Sequence, residues 1–475
     1  MYSLNRNAKK FTFKDAEIFS RISGDFNPIH LSNDFASRSI HGSRIIHGMN
    51  VILWSLNIFC EKEKPFGIID IRIDFKEPIF LHKLVYLEIL KKANNIYQFK
   101  VFDNHTLKSS FTIIIKKNKY ENNIIKNTYF AKVSPNKFNN KILKLEHKSD
   151  VNFNKTLAKV VFKNLYAKLN HNVLGSLLKT SKIVGMIYPG KFSTFVSLRG
   201  QLNLNFDKLN FVIKKYDERF NFLNIKLSGI INGSIEAVET PKPIKVKPLL
   251  DIKDFLKKIS FDKRQSFRNK QVLIIGGSRG LGAYLVRILA LQGADVMFTY
   301  NKSKIEASRL VKELKEFGKK KVTFIKLDVL KNNFNFLSNY TPDQLYYMAT
   351  TKIGTVENSK TVNTEKLSLF YNIYIECFLN IYNSLGKEKK IKVLYPSSIY
   401  VRNKSMQKSE YVIIKKLGET ICKELNRQIS NKVIYIPKIK PLLTDQHLSI
   451  YKNSIKETPD KTIVYLIENM LKLKH

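Results

Sequence analysis

The chain has 475 residues, too many for one ordinary core and enough for two to four domains. With 44% hydrophobic and 12% aromatic residues it can fill packed interiors, yet no run of about 18 uncharged apolar residues occurs, so membrane insertion is not expected. The net charge of +43 comes mostly from lysines spread along the whole chain beside abundant Asn and Ile, a compositional habit of AT-rich coding sequence rather than a blocked basic surface, so no nucleic-acid partner is expected.

"MYSLNRNAKKFTF" lacks the apolar core of a signal peptide. Cys60, Cys377 and Cys422 lie far apart and form neither a disulfide nor a metal pattern. A cytoplasmic location without a metal site is the expectation. The first segment, 1–118, opens with the loop "SGDFNPIHLSNDFA" and continues into "IIHGMNVILWSLNIF", an apolar run long enough for a buried helix. Strand-like runs follow: "GIIDIRIDFKEPIF", "KLVYLEILKKA", "IYQFKVFDN" and "SSFTIIIKK". One buried helix followed by strands predicts an antiparallel sheet wrapped on a helix.

Asp25, Asn27 and His30 fall within six residues, with Pro28 among them. Asn and Pro shape turns, but an Asp and a His holding one water can act as base and acid. Water addition to an activated double bond also needs a donor for the charge that grows on the thioester oxygen, ideally a backbone amide at a helix N-terminus. "HGM", His47 to Met49, opens the apolar helix, and the Gly48 amide is placed to serve. "SGDFNPIH…A…IIHGM" resembles the MaoC-like, (R)-specific enoyl-thioester hydratase/dehydratase family. The resemblance implies a hotdog fold, Asp25 and His30 as the catalytic pair, Gly48 as oxyanion donor and Asn27 as a loop-shaping residue. His47 is expected to support the helix start.

The second segment, 119–240, repeats the order more faintly. "TLAKVVFKNLYAKLNHNVLGSLLKTSKIVGMIYPG" reads as helical stretches, followed by three strand runs. The match of "RIIHGM" (Arg44 to Met49) with "KIVGM" (Lys182 to Met186) hints at duplication. Nothing like Asp-x-Asn-Pro-x-His precedes it, and the resemblance to double-hotdog members of the family implies a second, non-catalytic hotdog that shapes the acyl pocket; an unrelated α+β domain is the alternative. Prolines 241, 243 and 248 and dense charge then mark 241–268 as a linker.

From 269 to 475, strands and helices alternate: "KQVLIIGG", "GLGAYLVRILALQG", "ADVMFTY", "KIEASRLVKELKEFG" and "KVTFIKLDV". This predicts an α/β, Rossmann-like, doubly wound parallel sheet. The turn "GGSRGLG" carries Gly276, Gly280 and Gly282 between strand and helix, where a pyrophosphate meets a helix N-terminus. The second strand ends "FTYNKSK" with no carboxylate for ribose hydroxyls; Arg279 and Lys302 would attract a 2′-phosphate instead, so NADP(H) is favoured over NAD(H). Asp328 suits either an adenine contact or a strand-end turn. Tyr411 and Lys415, four apart, share a helix face, and the ammonium favours tyrosinate.

The glycine loop with Ser398, Tyr411 and Lys415 resembles the short-chain dehydrogenase/reductase family, in the style of its 3-oxoacyl-thioester reductases. The resemblance implies Ser398, Tyr411, Lys415 and Asn372 as catalytic residues, Asn372 anchoring a relay water. It implies a cofactor site of Gly276, Ser278, Arg279, Gly280, Leu281, Gly282, Tyr300, Lys302 and Asp328, with Tyr411 and Lys415. "MATTKIG", Met348 to Gly354, stands where the family has Asn-Ala-Gly, and Ile275 replaces a threonine. The two resemblances share the 3-hydroxyacyl thioester as intermediate. The expected function is a bifunctional hydratase/dehydratase and 3-oxoacyl reductase on acyl-CoA or acyl-carrier-protein thioesters, in a homo-oligomer. The alternative keeps only the hydratase, with a nucleotide-sensing or structural C-terminal domain.

Overall fold

The computed structural model describes residues 7–104, 106–116, 125–138, 145–319, 321–331, 334–337, 340–353, 362–386, 389–402, 409–428, 431–445, 448 and 457–474. They fall into two compact units, one within Met1–Lys242 and the other comprising Pro243–Leu448 and Asn453–His475.

In the first unit, β1 (Asn7–Lys10) leads to α1 (Phe13–Ser23). Thr12 and Asp15 form a capping box at its start, and Gly24, at φ +76°, ends it in the left-handed region that glycine adopts freely. Two short helices, α2 (Pro28–Leu31) and α3 (Asn33–Arg38), precede α4 (Gly48–Lys62), which is buried along most of its length. β2 (Gly67–Phe75), β3 (Leu84–Ala93), β4 (Ile96–Asp103) and β5 (Thr106–Lys116) follow. The order then recurs: β6 (His147–Asp150), α5 (Lys155–Val161), α6 (Lys163–Lys168), α7 (His171–Lys182), a π turn at Ile183–Ile187, β7 (Ser193–Leu202), β8 (Lys208–Asp217), β9 (Phe222–Gly229) and β10 (Ile231–Glu239).

These strands make one ten-stranded sheet, β1-β3-β4-β5-β2-β7-β10-β9-β8-β6. Exchanging β1 to β5 for β6 to β10 maps one half of that order onto the other. The seam is antiparallel, β2 against β7, with Arg72 opposite Arg199. The unit is therefore a double hotdog, and α4 and α7 share one apolar core with both half-sheets. The repeat is real, but the short match that hinted at it is misaligned. Gly48 starts α4, whereas "KIVGM" lies at the C-terminal end of α7. The two motifs occupy opposite ends of equivalent helices.

The second unit does not begin after a linker. Residues 249–267 fold as α8 (Leu249–Lys258) and α9 (Arg264–Phe267), and Leu249, Ile252, Leu256 and Phe267 are buried in its core. The expectation of a linker at 241–268 is corrected: charges at 251, 253, 254, 257 and 258 mask an amphipathic helix whose apolar face is covered. β11 (Gln271–Ile275), α10 (Gly280–Leu291), β12 (Asp295–Tyr300), α11 (Lys304–Glu316), β13 (Val322–Lys326) and β14 (Gln344–Tyr347) come next. After α12 (Thr364–Tyr371), a π turn at Asn372–Glu376 and α13 (Cys377–Ser384), the chain forms β15 (Ile391–Leu394), the short β16 (Ser397–Ser398), α14 (Ser409–Gln428), β17 (Lys432–Tyr435) and α15 (Pro459–Lys472). Six parallel strands in the order β13-β12-β11-β14-β15-β17 form a doubly wound sheet whose order reverses beside β11. That reversal puts the glycine turn at the switch point where such sheets bind ligands.

Candidate active sites

The loop between α1 and α2 turns Asp25 inward. Asn27 caps α2 through the Ile29 amide (3.1 Å), and its side-chain nitrogen donates to the carbonyl oxygens of Gly185 (2.7 Å) and Gly190 (3.0 Å). The expected loop-shaping role is therefore played across the two halves. Asp25 is buried; its carboxylate accepts from Ser181 Oγ at 2.7 Å and from the Asn27 amide at 3.2 Å. Burial pushes its pKa up to about 6 against those two bonds and the nearby Lys182 charge. His30 is held through Nδ1, 2.9 Å from the Ile45 carbonyl oxygen, so Nδ1 carries the proton and Nε2 the lone pair. Burial lowers its pKa to about 4.

Asp25, His30, His47 and Gly48 line one cavity of about 130 Å³ together with Ser181 and Gly185. Gly48 is the first residue of α4, so its amide has no acceptor within the helix. A Cβ there would lie 2.6 Å from the Phe75 ring. His47 is the N-cap residue of α4 but its side chain makes no cap bond there; its Nε2 instead donates to the Asp25 carbonyl oxygen at 3.1 Å. Its ring also stacks on His30, centroids 3.6 Å apart. Asp25, His30 and His47 each bring a potential ligand atom within 4.8 Å of the others. His30 Nδ1 and His47 Nε2 are each spent on a backbone carbonyl oxygen, which leaves His30 Nε2 and the Asp25 carboxylate to share a water or a proton.

Ser181 and Gly185 come from the second half, and the sequence reading missed both. A Cβ at Gly185 would lie 2.3 Å from Asp25 Oδ1, so the π turn approaches the acid as closely as glycine permits. The only trace in the sequence was "VGM", which marked a repeat and not a site. At the opposite end of the pseudo-symmetric pair, α4 reaches the segment after α5 in the same way. There Asn57 Oδ1 accepts from the amides of Asn164 (3.0 Å) and Leu165 (3.1 Å), capping α6, and Phe162 is buried. One end of the pair holds a buried carboxylate and the other a helix cap.

In the second unit the glycine turn has the shape a dinucleotide needs. Gly276 sits at φ +85°, and a Cβ on Gly282 would lie 2.1 Å from the Gly276 carbonyl oxygen, whereas nothing lies within 4 Å of one on Gly280. The end of β12 braces the turn: Gly276 N donates to Thr299 Oγ1 and Gly277 N to the Thr299 carbonyl oxygen, both at 2.9 Å. Ser278, Arg279 and Leu281 are half-buried around it, with Arg279 at the N-cap of α10. Tyr300 is buried, Lys302 exposed beyond β12. Asp328 Oδ1 accepts from Asn301 Nδ2 and from its own turn at Leu330 N, both 3.3 Å, so it serves the strand-end turn. Lys352, unforeseen, adds a further basic group close to Arg279.

Ser398, Tyr411 and Lys415 come together: the Tyr411 phenol hydrogen-bonds Ser398, and burial raises its pKa well above the ordinary value. Lys415 Nζ donates to the Pro396 carbonyl oxygen at 2.7 Å, and burial pushes its pKa down to about 7. Asn372 does not join them. Its amide nitrogen donates to the Ser368 carbonyl oxygen (3.2 Å) and Glu376 Oε2 (3.3 Å), within its own helical stretch. The π turn that begins at Asn372 instead brings Tyr374 against Lys415, and this register shift is invisible to residue spacing.

Residues 3–110 match the family model described as "MaoC like domain", and residues 270–337 match "short chain dehydrogenase". A stretch of 41 residues is 49% identical to the 3-hydroxybutyryl-CoA dehydratase of Methylorubrum extorquens, covering 9% of this chain and 26% of that protein. Another of 48 residues is 54% identical to the cyclic-di-GMP-binding biofilm dispersal mediator protein of Escherichia coli, covering 10% and 20%. The chain thus spans about a fifth to a quarter of the length of the curated relatives it matches. Among solved structures, BdcA in complex with NADPH is similar at 20% identity and a TM-score of 0.37, over 43% of this chain and 88% of that one. A short chain dehydrogenase from Salmonella enterica serovar Typhi is similar at 15% and 0.40, over 44% and 93%. The chain joins a MaoC-like dehydratase domain of hotdog fold to a short-chain dehydrogenase domain of Rossmann-like fold.

Proposed function

We propose that the protein is a bifunctional acyl-thioester enzyme, an (R)-specific 2-enoyl hydratase/3-hydroxyacyl dehydratase joined to an NADP(H)-dependent 3-oxoacyl reductase. Residues 1–118 are read as the catalytic hotdog, 119–240 as the half that completes it, and 269–475, extended by α8 and α9, as the reductase. The carrying observation is the convergence of the Asp25 carboxylate, the His30 Nε2 lone pair and the start of α4 on one cavity. Burial pushes the two pKa values past one another, so a single proton on the pair rests on Asp25. In hydration, His30 Nε2 takes one proton of water as its oxygen bonds C3, Asp25 gives its proton to C2, and the His30 proton then returns to Asp25. The Gly48 amide faces the charge that grows on the thioester oxygen.

In the reductase a bound nicotinamide supplies the hydride. The chain's own part is proton handling: Ser398 holds the carbonyl oxygen, Tyr411 donates to it, and the Lys415 ammonium favours the phenolate left behind. Arg279 and Lys302, with no carboxylate at the end of β12, favour NADP(H). The similarity to the Methylorubrum dehydratase, named for a CoA thioester, supports a CoA or carrier-protein thioester as substrate. Leu369 and Tyr371 on α12 and Ile413 and Leu417 on α14 are exposed on neighbouring helices, which supports a homo-oligomer. No described helix is long and apolar enough to cross a membrane, and a cytoplasmic location remains the reading.

Purified protein should hydrate crotonyl-CoA and oxidise NADPH with an acetoacetyl thioester. Asp25→Asn should abolish the first and Tyr411→Phe the second. Tight NADP(H) binding without turnover across a panel of 3-oxoacyl thioesters would instead favour the hydratase-only reading.

A further inference from the structure

Lys415 is buried, and among the described residues its Nζ has one hydrogen-bond acceptor, the Pro396 carbonyl oxygen. An ammonium offers three donors. What surrounds it is aromatic: the ring centroids of Tyr374, Tyr395 and Tyr411 lie 4.0, 5.0 and 5.8 Å from Nζ. Tyr374, the nearest, is fixed at both ends. Its carbonyl oxygen accepts from the Tyr395 hydroxyl at 3.0 Å, and its own hydroxyl meets Thr350 Oγ1 at 2.6 Å. Thr350 Oγ1 in turn donates to the Thr351 carbonyl oxygen at 3.1 Å. Gly418 leaves room for this arrangement, since a Cβ there would lie 2.2 Å from the Tyr395 hydroxyl.

Thr350 belongs to "MATTKIG", where Asn-Ala-Gly was expected, and Tyr374 stands two residues past Asn372, where a relay asparagine was expected. The segment that departs from the family pattern therefore touches the residue two past Asn372, beside Lys415. We propose that Tyr374, anchored by Thr350, is a positioning residue of the reductase site, whose ring face lies against the Lys415 ammonium and keeps it charged beside Tyr411. This rests on the reading of the second unit as an NADP(H)-dependent reductase.

The electrostatics fit. Burial works against the ammonium, while Cys422 and Glu419 on its own helix favour it, and Glu419 is also engaged by Ser397 (2.5 Å) and Lys438 (3.5 Å). Among the described residues, the remaining titratable groups facing it are the three tyrosines, and a desolvated ring face stabilises a cation.

The test is the titration of Lys415 in nucleotide-free protein, followed by side-chain NMR of isotope-labelled lysine and assigned with Lys415→Arg. Tyr374→Phe keeps the ring but gives up its bond to Thr350, so it should lower the midpoint only slightly, by about 0.3 unit. Tyr374→Leu should lower it by about one unit and weaken NADPH binding at pH 8 about tenfold. Tyr374→Met serves the same arm if the leucine variant does not fold. Thr350→Val, which frees the ring, should move the midpoint in the same direction by less; no movement overturns the anchoring. An unchanged midpoint without the ring, or equal shifts for Phe and Leu, overturns the proposal. A wild-type protein that binds no NADP(H) would defeat the reductase reading, while the titration would still decide what Tyr374 does.

Discussion

At the scale of single residues, Asp25 shows how one carboxylate is tuned from both halves of the repeat. Its burial and the burial of His30 set the order in which the pair binds protons. In the proposed mechanism hydration starts from protonated Asp25 with neutral His30, and dehydration from the tautomer with the proton on His30, so both directions use the singly protonated pair. Activity should therefore follow a bell, rising through about pH 4 as His30 loses its proton and falling above about pH 6 as Asp25 loses its own. The Ser181 bond holds the Asp25 pKa down, so Ser181→Ala should move the alkaline limb to higher pH by about one unit, with kcat lower by roughly tenfold. A rate drop with an unmoved limb would show that Ser181 only supports the fold. Gly185→Ala, which drives a methyl into Asp25 Oδ1, should reduce kcat at least about a hundredfold in a protein whose circular dichroism is unchanged.

Among elements, the paired ends of α4 and α7 invite a direct contrast. Asn57 and Ser181 reach equivalent segments of the two halves, yet Asn57 meets only backbone amides. Asn57→Ala should cost about 1 kcal/mol, a Tm lower by a few degrees, and leave the pH limbs in place. Elements also divide what was legible in the chain from what was not. The strand-turn-helix around Gly276 could be read because each part has its own local signal: β-branched run, glycines, apolar periodicity. Helix α8 could not, because its apolar face is short and its charges imitate a linker. The π turns at Ile183–Ile187 and Asn372–Glu376 were hidden too, since one inserted residue rotates every later side chain without altering composition. Those two turns decided that Gly185 meets Asp25 and that Tyr374, rather than Asn372, meets Lys415.

For the whole molecule, the two proposed sites lie in separate compact units, so damage to one should spare the other. With crotonyl-CoA and NADP+, wild-type protein should produce NADPH, because hydration supplies the 3-hydroxyacyl thioester that the second site oxidises. Asp25→Asn should stop NADPH formation from crotonyl-CoA but not from a 3-hydroxybutyryl thioester, whereas Tyr411→Phe should stop both. Gly282→Ala, which sets a methyl against the Gly276 carbonyl oxygen, should remove NADPH binding and leave crotonyl-CoA hydration intact. NADPH formation from crotonyl-CoA by the Asp25→Asn variant would count against the hydratase assignment.

The sequence by itself determined the two fold types and picked out candidate residues for each site, because catalytic loops and nucleotide turns need fixed residue types at short spacing. Asp25, His30 and Gly48, and likewise Ser398, Tyr411 and Lys415, were all named from those motifs and the family resemblances they carry. Only the tertiary structure decided what surrounds them. Ser181 lies 156 residues from Asp25, and Thr350 lies 24 from Tyr374. Those partners are set by where two sheets and two π turns place the backbone, and no local pattern encodes such a distance. The second hotdog, which seemed to have lost its chemistry, supplies the hydroxyl that holds the acid of the first.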